Sequence, residues 1–251
     1  MGGFGWDVFA VGIFAAVFAG VSKGGFGSGA AFAGTSILAL FVDPGVALGI
    51  MLPLLMVIDA TSVRAYWGRW SWPDGRMMLM GALPGVALGA GLYSLADDDV
   101  IRLLIGAICL IFVGWQMALR SGLVTPGRAG LPGWAGLPAG VVTGFTSFVS
   151  HAGGPPAAIY LLSRGLDKTT YQSTTVLIFW VMNIVKFVPY AFLGIFTLQT
   201  LMLDLLLAPF AVLGALLGVR AHRIVSERLF FGLTYVLLVV TGSKLIWDAL
   251  A

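Results

Sequence analysis

The chain has 251 residues, 59% of them hydrophobic and only 10% charged, with a formal net charge of +3. Soluble domains carry about a quarter charged residues, so the composition excludes an ordinary water-soluble globule and predicts an integral membrane protein. A net charge this small gives no reason to expect a nucleic-acid partner, and one cysteine, Cys109, excludes an internal disulfide and a thiolate metal cluster.

The opening MGGFGWDVFAVGIFAAVFAG has no basic region ahead of its first charge, Asp7, and does not read as a cleaved signal peptide. Apolar stretches follow at 6–22, 28–42, 44–63, 77–95 and 100–119. After the Gly/Pro-rich RSGLVTPGRAGLPG they resume at 134–149, 155–163, 172–193, 198–219 and 227–249. They are too long and too uniformly apolar for soluble strands, and the alternating pattern of an outer-membrane barrel is absent. The expected fold is therefore an all-α membrane protein, a polytopic helical bundle. Residues 155–163, PPAAIYLLS, would make a helix of only about 14 Å against a hydrocarbon core of ~30 Å. With 134–149 they read as a hairpin that enters the membrane and turns back, with SHAGGPP at its tip. Residues 6–22 and 28–42 read as a matching hairpin with SKGGFG at its tip.

The second half repeats the first at an offset of 124 residues: Gly20 falls on Gly144, Gly29 on Gly153, Asp43 on Asp167 and Asp59 on Asn183. Each repeat, about 6–119 and 134–249, is a broken or re-entrant hairpin plus three transmembrane helices, joined by the linker 120–133 into one transporter domain spanning 1–251. A hairpin returns to its own side and three helices make an odd number of crossings, so the repeats are inverted, an arrangement common in secondary transporters. Threading the chain this way puts Arg64, Arg69, Arg76, Arg120, Arg128, Arg164, Lys168, Arg220, Arg223 and Arg228 on one face. Arg102 and Lys244 fall on the other, with Asp7, Asp43 and Asp97 to Asp99. The basic face is then cytoplasmic and both termini are periplasmic, in a bacterial inner membrane.

Ionisable groups at membrane depth cost roughly 2.5–3.5 kcal/mol on insertion scales, which makes them candidate site residues. Lys23 lies at the first tip beside Ser22, Ser28, Gly24, Gly25 and Gly27. An ammonium, hydroxyls and N–H groups exposed by glycines make a cradle for an anion; the plainer reading is a lysine that snorkels above glycines used for close packing. His151 occupies the second tip with Ser147, Ser150, Gly153 and Gly154. There it serves as an anion donor or a carrier of a coupled proton, or as a buried neutral histidine bonded to a carbonyl. Phe179, Asn183, Lys186 and Tyr190 share one helical face. Asp59 and Lys186 are expected to pair across the pseudo-axis, as a structural ion pair or as one that an anion displaces. Tyr66, Trp67, Trp70 and Trp72 read as an interfacial anchor, and Asp204 falls near the outer end of its helix.

GVSKGGFGSG, FVSHAGGPP at the matching place, and TTVLIFWVMNIVKFVPYAFLGIFT together resemble the TauE/SafE family of sulfite and organosulfonate exporters, over essentially the whole chain. The resemblance implies export of small sulfur-containing anions such as sulfite, sulfoacetate or related sulfonates. It assigns substrate contact to Ser22, Lys23, Gly24, Gly25, Gly27, His151, Gly153 and Gly154. One departure is Leu52-Pro53 after Asp43, where the family often has a Thr-Ser pair. The expected protein is a secondary transporter working by alternating access, with the hairpin tips near the midplane. An anion channel and an importer of another small anion are the alternatives. A phosphate loop, an HExxH helix and a G-x-S-x-G turn are all absent, so neither an enzyme nor a cofactor is expected. The partners are a small anionic substrate and membrane lipid; whether the protein works alone or as a homo-oligomer is left open.

Overall fold

The structure, a computed structural model, describes residues 4–26, 30–123, 130–221 and 227–251. Gly27 and Ser28 of the first tip, Arg128, His222 and Arg223 lie outside them. Described residues form ten α-helices: α1 Trp6–Val21, α2 Phe32–Leu38, α3 Pro44–Tyr66, α4 Trp72–Leu95, α5 Asp98–Arg120, α6 Gly136–Ser150, α7 Gly154–Ser163, α8 Lys168–Phe192, α9 Leu198–Ala221 and α10 Glu227–Leu250. No strand occurs among the described residues. Seven helices are long and apolar enough to cross a membrane. Large apolar side chains such as Ile111, Leu205 and Val240 point outward from them, a surface that belongs in lipid rather than water.

Two expectations need correction. The first arm runs past the apolar stretch 6–22: α1 continues through a π-helical turn, Ser22–Phe26, and Trp6–Gly25 is a 20-residue candidate span, about 30 Å long. The returning arm is shorter than the apolar stretch 28–42, because only Phe32–Leu38 is α-helical before the chain turns at Asp43-Pro44. Proline disfavours the helical region for the residue before it, and Asp43 is extended with ψ 147°.

Helices α4 and α8 start earlier than the apolar stretches at 77 and 172. Their first turns are polar, and polarity does not prevent helix formation. At α8 the Asp167 side chain caps the helix, accepting from the N–H groups of Thr169 (2.9 Å) and Thr170 (3.1 Å). The Thr170 hydroxyl, together with these N–H groups, holds the Asp167 carboxyl below the usual carboxylate range. Trp67 and Trp72 are exposed beside the α3–α4 turn, as an interfacial anchor requires.

Each hairpin's long arm packs on a helix of the other half through small residues. On the α4–α6 seam, a Cβ at Gly85 would lie 2.9 Å from the Phe145 nitrogen, and one at Gly140 3.0 Å from the Ala82 nitrogen. On the α1–α9 seam, a Cβ at Gly20 would lie 2.6 Å from the Ala215 nitrogen, and one at Gly214 2.6 Å from the Val17 carbonyl oxygen. Backbones this close give van der Waals attraction where lipid removes the hydrophobic drive between helices. Gly24 and Gly25 belong to the same seam, facing the carbonyls of Ala215 and Gly218.

The start of α4 is tied to the second hairpin by a polar cluster. Buried Asp74 accepts from the Ser71 hydroxyl (2.6 Å), the Tyr160 hydroxyl (2.8 Å) and Arg164 Nε (2.8 Å). Arg164 Nη1 also donates to the Leu131 carbonyl at 2.8 Å. Removing a buried acceptor strands its donors at about 1–3 kcal/mol. Asp74→Ala is therefore expected to lower the unfolding temperature in detergent more than Arg164→Ala, because the arginine side chain is 33% exposed and can turn to water.

Candidate functional site

Four elements bring the candidate residues together: the π-helical turn after α1, the α6–α7 tip, and the facing stretches of α3 and α8. On α8, Phe179, Asn183, Lys186 and Tyr190 are all buried, while Ile184, Phe187 and Val188 are exposed. The helical spacing thus identified the inward face correctly.

The expected Asp59–Lys186 pair is not the one that forms. Asp59 Oδ1 makes an ion pair with Lys23, and Asp59 Oδ2 accepts from Asn183 Nδ2 at 2.6 Å. All three side chains are buried. The physical reason is reach: the π-helical turn brings Lys23 onto α3, and the shorter Asn183 side chain spans the α3–α8 gap to the same carboxylate. The Lys23 ammonium also lies 5.5 Å from the centre of the Phe179 ring, close enough for a cation–π attraction.

Lys186 is held instead by the second tip. Its Nζ lies 3.0 Å from the Ser147 carbonyl oxygen, 3.0 Å from Ser147 Oγ and 2.8 Å from His151 Nδ1. His151 Nε2 is 3.3 Å from the Leu48 carbonyl oxygen on α3. A carbonyl only accepts, so Nε2 carries the ring hydrogen and Nδ1 presents its lone pair to the ammonium. Three neutral acceptors thus match the three N–H bonds of Lys186.

His151 is the one non-glycine residue with positive φ among the described residues, at φ 57°. It occupies the C-cap of α6, a place that glycine usually takes. Such a backbone costs on the order of 1–3 kcal/mol for a residue with a Cβ and collects at functional sites. Gly153 is needed for space: a Cβ there would lie 2.9 Å from both Phe179 Cε1 and Ser147 Cβ. Gly154 begins α7. Ser22 and Ser150 are buried, and the Ser150 hydroxyl donates to the Thr146 carbonyl at 2.9 Å.

Two small cavities adjoin these groups, each with room for about one water molecule. One is lined by Lys23, Ser147, His151, Phe179 and Asn183, so residues of both tips face it. The other is lined by Lys23, Asp59, Ser62, Gln172, Thr175 and Phe179. Lys23 and Phe179 line both.

The contacts follow the offset of the sequence repeat. Asp59 and Asn183, which touch, are 124 residues apart. Gln172 Nε2 donates to the Lys23 carbonyl at 3.1 Å, and Leu48, the residue 124 positions before Gln172, bonds the other tip through His151. Lys23 corresponds to Ser147 and Ser62 to Lys186. Each junction of a tip with a long helix therefore holds one lysine and one serine, with the two exchanged between hairpin and helix.

Sequence reasoning set Ser147 beside His151 but missed it as a partner of Lys186, and missed the Leu48 carbonyl as a partner of His151. The 124-residue offset could have marked Ser147, because it is the counterpart of Lys23. Asp204 is buried on α9, with neither oxygen hydrogen-bonded among the described residues. It is joined to neither lysine.

No curated protein and no solved structure matches the chain. Residues 12–245 match the family described as "Sulfite exporter TauE/SafE", a match that takes in both tips, Lys23 and Lys186, and all or most of every long helix. This chain of buried lysines and paired hairpins therefore belongs to the TauE/SafE family, whose members are membrane transporters of sulfur-containing anions.

Proposed function

We propose that the protein is a secondary transporter that exports a small sulfur oxyanion, such as sulfite or an organosulfonate, from the cytoplasm by alternating access. The observation that carries this reading is the cavity faced by both hairpin tips, with Lys23 on one side and Ser147 and His151, which hold Lys186, on the other. Two buried ammonium groups and a polar tip suit an oxyanion. Asp59 stands in for the anion on Lys23, and an arriving substrate takes its place. Phe179 lines both cavities and each holds about one water, so passage requires the tips to move against α3 and α8. A closed site of this kind suits a carrier.

The inverted-repeat architecture is supported by the 124-residue pairing of Asp59 with Asn183. A residue that touches its own counterpart lies on the pseudo-axis, and an axis in the membrane plane lies at mid-depth. Placement in the inner membrane with both termini outside is supported by the basic residues. Arg102 pairs with Asp43 and Asp99, and Lys244 with Asp248, so the two basic residues of the acidic face are locally neutralised.

In proteoliposomes, labelled sulfite or sulfonate uptake is expected to accelerate when unlabelled substrate is loaded inside. Unitary currents without trans-acceleration would replace the carrier by a channel. Absence of flux with every sulfur oxyanion would remove the reading.

A further inference from the structure

We infer that the site selects singly charged anions: a monosulfonate or hydrogensulfite, rather than a dianion such as sulfoacetate or the fully ionised sulfite ion. This rests on the transport site proposed above and narrows its substrate class.

The inference comes from the charges around the two tips. Lys23 is already neutralised by Asp59, which it touches. Lys186 is met only by neutral groups, Ser147 and His151 Nδ1. His151 is itself neutral while it accepts from Lys186 and donates to Leu48, because its second ring nitrogen has no room for another proton. Asn183 adds a dipole to Asp59 and no charge. Of the other carboxylates buried on the long helices, Asp74 is paired with Arg164 and Asp204 makes no ion pair with either lysine among the described residues. Among the described residues the tip cluster therefore carries one positive charge in excess.

One negative charge on the substrate brings that cluster to neutrality. A second would remain unbalanced in a cavity with room for about one water, where charge is far costlier than in bulk solvent. The sulfonate group alone does not explain such a preference, since a disulfonate offers the same oxygens twice. The carboxylate of Asp59 sets the charge the cargo carries, acting as a fixed anion built into the protein.

The test compares butanesulfonate, with one charge, and ethanedisulfonate, with two charges at a similar length. Binding to the purified full chain in detergent is measured by calorimetry at fixed ionic strength. Butanesulfonate is expected to bind about tenfold or more tightly than ethanedisulfonate. Asp59→Asn frees the charge of Lys23, so the ratio is expected to fall or invert in that variant.

Equal or tighter binding of the disulfonate to the wild-type protein overturns the charge rule and leaves the transport site standing. An unchanged ratio in a folded Asp59→Asn protein overturns Asp59 as its source. If that variant does not fold, the wild-type ratio alone decides. If neither sulfonate binds the wild type, the site fails and the charge rule fails with it.

Discussion

Replacing Lys23 with alanine is expected to abolish transport and to destabilise the protein, and a second substitution separates the two effects. The ammonium is paired with Asp59 in the interior and stacked over Phe179. Removing one partner of a buried ion pair strands the other, at about 3–5 kcal/mol. Asn183 still donates to Asp59 and offsets a part of that. Lys23→Met combined with Asp59→Asn removes both charges and keeps side-chain volume. It is expected to regain most of the thermal stability in detergent and none of the flux. Wild-type turnover in the double variant would remove Lys23 from the transport site, and equal instability of single and double variants would show that the ion pair is not what the single variant loses.

Gly144→Leu is expected to give no monodisperse protein at all. A Cβ at Gly144 meets the backbone of Ala82, with Cα at 2.9 Å and the carbonyl carbon at 3.0 Å. No side chain can rotate away, so α6 must leave α4, a change well beyond the ~1–3 kcal/mol of ordinary overpacking. Gly91, on the same α4, has nothing within 4 Å of its Cβ position. Gly91→Ala is expected to be neutral or to stabilise by up to about 1 kcal/mol through helix propensity. Size-exclusion profiles of the two variants give the comparison, and a well-folded Gly144→Leu protein would refute the seam.

Much of this was legible in the sequence because a bilayer rewards long apolar runs. The helix order, the two interruptions and the inward face of α8 all follow from hydropathy and spacing. The polar first turns of α4 and α8 were not legible from hydropathy, since Trp72, Asp74 and Lys168 resemble loop residues until their caps and partners are seen. Nor was the partner of Lys186: helical spacing says which way a side chain points and not what stands opposite. Lys23 and Asn183 both reach Asp59, and that depends on how far a π-helical turn swings the first tip. The glycines of SKGGF carry a similar lesson. Gly24 and Gly25 are spoken for by α9, so glycine at a membrane turn marks close backbone contact as readily as an anion cradle.

The exchange of lysine and serine between the two halves decides the charge left at the proposed transport site. Two identical copies of the first half would place a lysine, an aspartate and a serine at both junctions, a self-cancelling set that attracts no anion. Two copies of the second half would bury two lysines with no carboxylate to quench either. At the proposed transport site, then, the difference between the halves at these positions is what leaves a charge for an anion to meet.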